Sequence, residues 1–353
     1  MDLRQIGNLF FIGFSGARLS PEVRDLLADL NPAGVILFAR NIEDPLQVAR
    51  LNHDLQTDAA TRMREGLFIG VDQEGGRVRR LKEPFAVFPP PLQLASLQSP
   101  ELALREFASV TGRELRLVGF NLDFVPVLDV LRETGSPADT VIGDRAYGFD
   151  AASVSRLGRI VIEAMRSERV IPCCKHFPGH GGTAVDSHID LPVDERDKAA
   201  LVKSDLVPFA AAIEMKVEMT MTAHVLYRSL DPEFPATLSR KVISGMLRKE
   251  MGFDGVVITD DLDMGAVADR YAPEESAYLA FSAGVDLLLI CNDPSKAFSA
   301  RARLLQALKD GEIPAERLKE SLARVRRLKA LYADSMRPCE QMRVREYFRA
   351  AGI

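Results

Sequence analysis

Residues 170–188 read VIPCCKHFPGHGGTAVDSH. The run opens on apolar residues, closes on Lys175 and His176, and passes into a loop punctuated by Pro178, Gly179, Gly181 and Gly182. A short, almost wholly apolar run is expected of a strand buried on both faces, as in a parallel sheet. The proline and glycines after it specify a loop with unusual backbone angles. Similar runs lie at 9–14, 34–38, 67–72, 122–127, 218–224, 256–260 and 286–291. Amphipathic stretches at 21–30, 44–57, 101–118, 153–167, 199–216, 240–251, 273–283 and 295–309 stand between or after them. Ser20 before Pro21 and Asp44 before Pro45 read as helix starts. Eight strands, each followed by a helix, predict an α/β fold of one domain, a (β/α)8 TIM barrel. An open doubly wound sheet is the alternative for any such alternation, but no GxGxxG follows the first run. Residues 1–333 are assigned to the barrel and 334–353 to a C-terminal tail. The stretch beginning at Glu312 predicts a solvated helix packed on the outside, followed by a basic end. Pro89-Pro90-Pro91 is too short to link two domains.

Composition narrows the function classes. The chain has 353 residues, 47% hydrophobic and 27% charged, which excludes intrinsic disorder over most of its length. Its 45 Lys and Arg against 50 Asp and Glu give a net charge of −5, so nucleic acid is not an expected partner. Cys173, Cys174, Cys291 and Cys339 form no CxxC pair, which argues against a disulfide scaffold and fits a reducing compartment. The opening MDLRQIGNLFFIGFSG lacks the apolar core and cleavage site of a secretory leader, and no apolar stretch approaches the length of a membrane span. A cytoplasmic protein with no membrane partner is expected; oligomeric state is not encoded legibly.

In a parallel barrel the reacting groups sit where strands end and the following loops begin. Here Asp72 closes the third run, Lys175 and His176 the fifth, His224 the sixth, and Asp260 with Asp261 the seventh. Polar groups closing four apolar runs at the same end converge on one mouth. The 175–188 segment holds three of the chain's five histidines. It permits two chemistries. His176, His180, Asp186 and His188 offer metal ligands. Alternatively, one histidine performs acid/base work, oriented by a nearby carboxylate, and Asp186-Ser187-His188 has the short spacing this needs. In GVVITDDLDM, residues 255–264, Asp260 ends a β-branched run where a carboxylate has no packing role. It is a candidate nucleophile or ligand, whereas Asp261 and Asp263 suit caps for the next helix. VDQEGGRVRR at 71–80 and IGDRAY at 142–147 combine acids and arginines able to grip hydroxyls, or to form surface ion pairs.

Taken together, KHFPGHGGTAVDSH, the upstream VDQEGGRVRRL and the downstream GVVITDDLDMGAV resemble glycoside hydrolase family 3, and within it the bacterial β-N-acetylhexosaminidases of peptidoglycan recycling. The resemblance runs from the first strand to about residue 330 with its motifs in order. It implies a retaining exo-β-N-acetylglucosaminidase that removes terminal GlcNAc from cell-wall fragments, namely GlcNAc-1,6-anhydroMurNAc and its peptides. Carried over by motif, Asp260 matches the nucleophile, His188 the acid/base and Asp186 its orienting partner. Asp72, Arg80, Arg145, Lys175 and His176 match positions that hold the sugar. No metal and no organic cofactor is implied. Cys173-Cys174 and the tail depart from the pattern. Competing readings are a phosphorylase of the same family, a zinc-dependent hydrolase built on the loop histidines, and a non-catalytic sugar-binding protein.

Overall fold

Every apolar run forms a strand, and the strands pair in chain order. They are Phe10–Ile12, Gly34–Ile36, Phe68–Val71, Leu122–Asp123, Ile171–Phe177, Met219–Thr222, Val256–Ile258 and Leu288–Ile290, the first to eighth strands below. The computed structural model describes residues 3–62, 65–132, 141–183, 187 and 189–349. All neighbours are parallel: Phe11 registers with Gly34, Gly34 with Phe68, Gly70 with Leu122, Leu122 with Ile171, Cys173 with Met219, and Met219 with Val256. The first strand also pairs with the eighth, Phe10 opposite Leu288, and a parallel bridge from Ile258 to Leu287 brings the seventh to the eighth. The sheet thereby closes into an eight-stranded barrel of the expected class.

Alternation along the strands sorts side chains into two cores. Phe11, Ile36, Phe68, Leu122, Ile171, Cys173, Met219, Val256 and Ile258 fill the barrel interior. Phe10, Ile12, Val35, Ile69, Val71, Cys174 and Val257 face the surrounding helices. The interior is crowded: a Cβ on Gly70 would lie 2.9 Å from Leu122 and 3.1 Å from both Phe11 and Phe124. Continuing the period of two carries Asp72, Lys175 and Asp260 into the top inward layer.

The helices follow their signals. Ser20 caps Pro21–Leu30 by accepting the Val23 amide at 3.3 Å, and Asp44 accepts the Leu46 and Gln47 amides at 2.8 Å ahead of Pro45–Arg62. The expected helix over 199–216 is instead two, Lys198–Lys203 and Leu206–Glu214. Pro208 has no amide to give to Ser204, so the helix restarts there with the proline in its first turn. The helix after Glu312, Ala315–Leu331, does not lie simply on the outside. Val325 and Leu328, with Tyr332 and Met336, join the interior cluster and plug the barrel at the end where strands begin. A last helix, Gln341–Phe348, lies along Pro45–Arg62.

Candidate active site

The mouth of the barrel is built around one buried ammonium. Between Cys174 and Phe177 the pairing of the fifth and sixth strands slips by one residue, so Lys175 and His176 both fall between outward-facing neighbours. The Lys175–His176 and Phe177–Pro178 peptides are cis. Lys175 is 2% exposed, and its Nζ donates to Asp72 at 2.7 Å and to Glu74 at 2.6 Å. Glu74 also accepts two hydrogen bonds from one edge of the Arg145 guanidinium, Nε at 2.7 Å and Nη2 at 2.8 Å. Burial alone would raise the Glu74 carboxyl, but Arg145 and Lys175 outweigh it and hold it well below the usual carboxylate range. Burial likewise opposes the charge on Lys175, and Asp72 and Glu74 reverse this and raise it. Arg80 reaches Asp72 at 3.4 Å, and its guanidinium lies over the Phe38 ring, 5.6 Å from the centroid. Arg77, by contrast, makes the exposed ion pair of this segment, with Asp144.

A second carboxylate organises the histidine loop. Asp129 is fully buried and accepts the His176 amide at 3.1 Å, the His180 amide at 2.6 Å and His176 Nδ1 at 2.7 Å. Burial disfavours its charge, but the His176 and His180 rings and their N–H groups keep it below the ordinary range. With Nδ1 engaged by Asp129, His176 has Nε2 left to meet another partner. His180 contacts Thr183 Oγ1 through Nδ1 at 2.7 Å and Ser187 Oγ through Nε2 at 3.2 Å. Burial, with His176 beside it, depresses its pKa to about 4. Among the described residues no group of three His, Cys, Asp or Glu side chains is arranged to hold a metal ion.

The seventh strand supplies the sparser side. Asp260 is part-buried, and its Oδ1 accepts the Asp261 amide at 2.8 Å. Burial pushes its pKa up, but the His176 and His224 rings, that amide and Lys175 bring it below the ordinary value. His224 is fixed by Thr237 Oγ1 on Nδ1 at 2.7 Å and donates from Nε2 to the Asp261 carbonyl at 2.9 Å. Asp261 goes the other way, raised to about 6 by burial. Its Oδ1 accepts the Asp263 and Cys291 amides, both at 3.0 Å, while Asp263 binds Lys296 Nζ at 2.7 Å. These two aspartates tie the seventh loop to the eighth rather than cap the following helix, which has no side-chain cap.

Of the residues expected from sequence, the structure gathers Asp72, Arg80, Arg145, Lys175, His176 and Asp260 at one mouth. Asp186 and His188 lie outside the described residues. Between them, Ser187 is 2% exposed, and its carbonyl accepts the Ala266 amide at 3.1 Å, joining the histidine loop to the loop beyond Asp260. Sequence reasoning gave no role to Glu74 or Asp129. Glu74 stood inside a quoted motif, and Asp129 follows an apolar run as Asp72 and Asp260 do. It also passed over Asp123, fully buried, whose Oδ1 accepts the Gln73 amide at 3.0 Å and whose Oδ2 has no hydrogen-bond partner among the described residues. Burial pushes Asp123 up to about 8.

Comparison with known proteins gives consistent results. Residues 2–328 match the glycosyl hydrolase family 3 N-terminal domain. A β-hexosaminidase of Thiobacillus denitrificans is 40% identical over 296 residues, covering 82% of this chain and 80% of the relative. A family 3 β-N-acetylglucosaminidase structure from Paenibacillus sp. aligns with a TM-score of 0.90 at 39% identity, over 94% of this chain and 63% of that longer one. NagZ from Neisseria gonorrhoeae, solved in complex with N-trifluoroacetyl-D-glucosamine, aligns with a TM-score of 0.79 at 31% identity, over 97% of this chain and 93% of that one.

Proposed function

The chain belongs to glycosyl hydrolase family 3 and is a glycoside hydrolase, and from that premise we propose that it is a retaining, exo-acting β-N-acetylglucosaminidase of cell-wall fragments. Its substrate is terminal GlcNAc on GlcNAc-1,6-anhydroMurNAc and its peptides, met in the cytoplasm. Support for the sugar comes from the β-hexosaminidase and N-acetylglucosaminidase relatives. The observation that carries the reading is Asp260. It is a carboxylate held ionised at the end of the seventh strand, with one hydrogen bond to its Oδ1 among the described residues and imidazole and cationic neighbours.

Asp260 attacks the anomeric carbon, and the bond to the aglycone oxygen breaks as His188 gives that oxygen a proton. Asp186 orients the imidazole and stabilises its cation. Water then attacks the glycosyl-Asp260 ester, His188 takes its proton, and the β configuration is restored. Asp72, Arg80, Arg145, Lys175 and His176 hold the sugar. Two protons of Lys175 go to Asp72 and Glu74, leaving the third for a hydroxyl; His176 presents Nε2. No cofactor takes part.

The test is hydrolysis of an aryl β-N-acetylglucosaminide, with the product anomer followed by NMR. β-GlcNAc as first product, and much slower cleavage of the matching β-glucoside, are expected, because a site built to bond the acetamido group rejects an analogue without it. An α product would overturn the double displacement, equal rates on both sugars would overturn the substrate, and phosphate-dependent release of a sugar 1-phosphate would replace hydrolysis by phosphorolysis.

A further inference from the structure

Residues beyond 328 lie outside the family match, yet the helix Gln341–Phe348 is bound at both ends. At its approach, Cys339 Sγ meets the Ala49 carbonyl at 3.1 Å and the Cys339 carbonyl accepts His53 Nδ1 at 3.0 Å. Val344 and Phe348 are buried. In the last turn the Phe348 ring meets Phe85 edge-on, with centroids 5.0 Å apart and planes at 72°. The Tyr347 hydroxyl donates to Glu114 Oε1 at 3.3 Å, and Glu114 Oε2 accepts the Ala86 amide at 2.9 Å. Two independent contacts thus fasten this helix to one short segment, Phe85 and Ala86, in the loop after the third strand.

That loop carries Arg80, and it is internally stitched. Gln73, next to Asp72, accepts the Arg80 and Leu81 amides through Oε1 at 2.8 and 3.1 Å and donates from Nε2 to the Leu81 carbonyl at 3.1 Å. The Gly76 amide donates to the Phe88 carbonyl at 3.0 Å. Gly76 has φ +55°, and a Cβ there would come within 2.8 Å of Pro90, so the turn bearing the arginines rests directly on the 88–90 segment. At one end the loop is sewn to the third strand through Gln73; at the other it is held by the C-terminal helix.

We propose that the helix Gln341–Phe348 is a positioning strap, which acts through Phe348 on Phe85 and through Tyr347 and Glu114 on Ala86 to fix the 73–90 loop and set Arg80 against Asp72 for the sugar. The inference rests on the reading of Arg80 and Asp72 as sugar-binding residues. Phe348, Tyr347, Phe85 and Glu114 are positioning residues; none touches the reacting atoms.

The test uses the full chain with Phe348→Ala, Phe85→Ala, their double variant and the milder Tyr347→Phe, which keeps the ring. Kinetics on an aryl β-N-acetylglucosaminide are combined with amide hydrogen exchange. Phe348→Ala is expected to raise KM about two- to tenfold, the scale of one aromatic pair, with little change in kcat. Exchange should quicken across 76–88 and not in the barrel strands. The double variant should be no worse than the more damaged single one, because both remove the same contact. Should Phe348→Ala fail to fold, Tyr347→Phe decides, with a smaller KM rise and faster exchange at Ala86. Unchanged exchange across 76–88, simple addition of the two single effects, or faster exchange with unchanged KM would each overturn the strap as a device for positioning Arg80. A wild-type chain with no β-N-acetylglucosaminidase activity would refute the functional reading instead, and exchange alone would then decide whether the helix holds the loop.

Discussion

The two sides of the barrel mouth are built in opposite ways. On the side of the third to fifth strands, Lys175, Asp72, Glu74 and Arg145 form a buried charge network beside the Asp129–His176 pair. On the side of the seventh strand, Asp260 accepts one backbone amide among the described residues, and Asp261 beside it is given over to holding the next loop. A side that recognises a ligand benefits from donors already fixed by their neighbours, with a valence such as the third proton of Lys175 left over, because freezing them then costs nothing at the moment of binding. A nucleophile benefits from the reverse, since every additional hydrogen bond to its attacking oxygen must be broken or weakened in the reaction. Dense pairing on one side and sparse pairing on the other, among the described residues, is the division expected if the first binds and the second reacts.

The sharpest way to break this division is at neighbouring aspartates. Asp260→Ala should lower kcat about a thousandfold or more with the melting temperature nearly kept, whereas Asp261→Ala should cost activity far less and lower thermal stability instead. The reverse outcome, read by steady-state kinetics and calorimetry, would move the reacting group one residue along. Next in size is the acid/base. His188→Ala should lose about 10²–10⁴-fold on glycosides with poor leaving groups. It should lose much less in the first step on activated aryl glycosides, and then accumulate a glycosyl-enzyme visible by intact mass. Asp186→Ala should give a weaker form of the same pattern. A uniform loss across leaving groups without accumulation would place His188 on the binding side.

On the densely paired side the damage should appear as stability. Glu74→Ala leaves Lys175 and Arg145 short of their shared buried counter-charge and should cost about 3–5 kcal/mol in urea unfolding. A change below about 1 kcal/mol would mean that the network is not paired as described. The smallest effect on activity belongs to Asp123, whose carboxyl is pushed by burial up to about 8 from an ordinary 3.8. A carboxyl raised in the fold keeps its proton while the unfolded chain ionises, so stability drains as pH climbs between those two values. Asp123→Asn should therefore keep activity within about twofold at pH 7 and gain stability over wild type progressively from pH 5 to pH 8. An equal difference at both pH values, measured by urea midpoints, would show the group already ionised.

Much of this architecture could be read along the chain, because its signals are local. A run such as Val256–Ile258 is apolar at every position, and two residues later Asp260 breaks the pattern at the end where barrels do chemistry. The partners were harder to see. Nothing near Lys175 in sequence points to Glu74 or Arg145, and Asp129 gains meaning only when the fourth strand lies beside the fifth. Pairing across the sheet is a long-range fact, and a single chain does not spell it. The break between Lys203 and Leu206 was legible in Pro208, but the strong apolar face of 199–216 masked it. The barrel-plugging role of Ala315–Leu331 was hidden for the opposite reason: its charged residues made it look like a solvated surface helix.

The continuation of the interior's two-residue alternation into Asp72, Lys175 and Asp260 also bears on how such a chain can change over generations. Core and chemistry share one phase, so adding or deleting a single residue inside the third or seventh strand, neither of which carries a slip like that of the fifth, would swing the polar groups out toward the helices along with their apolar neighbours. Length variation is therefore affordable only past the point where the phase ends, in the connecting loops. Lineages descended from a common barrel are free to lengthen those loops and so reshape what lies beyond the bound sugar, while the ring of inward-pointing groups beneath stays locked in step.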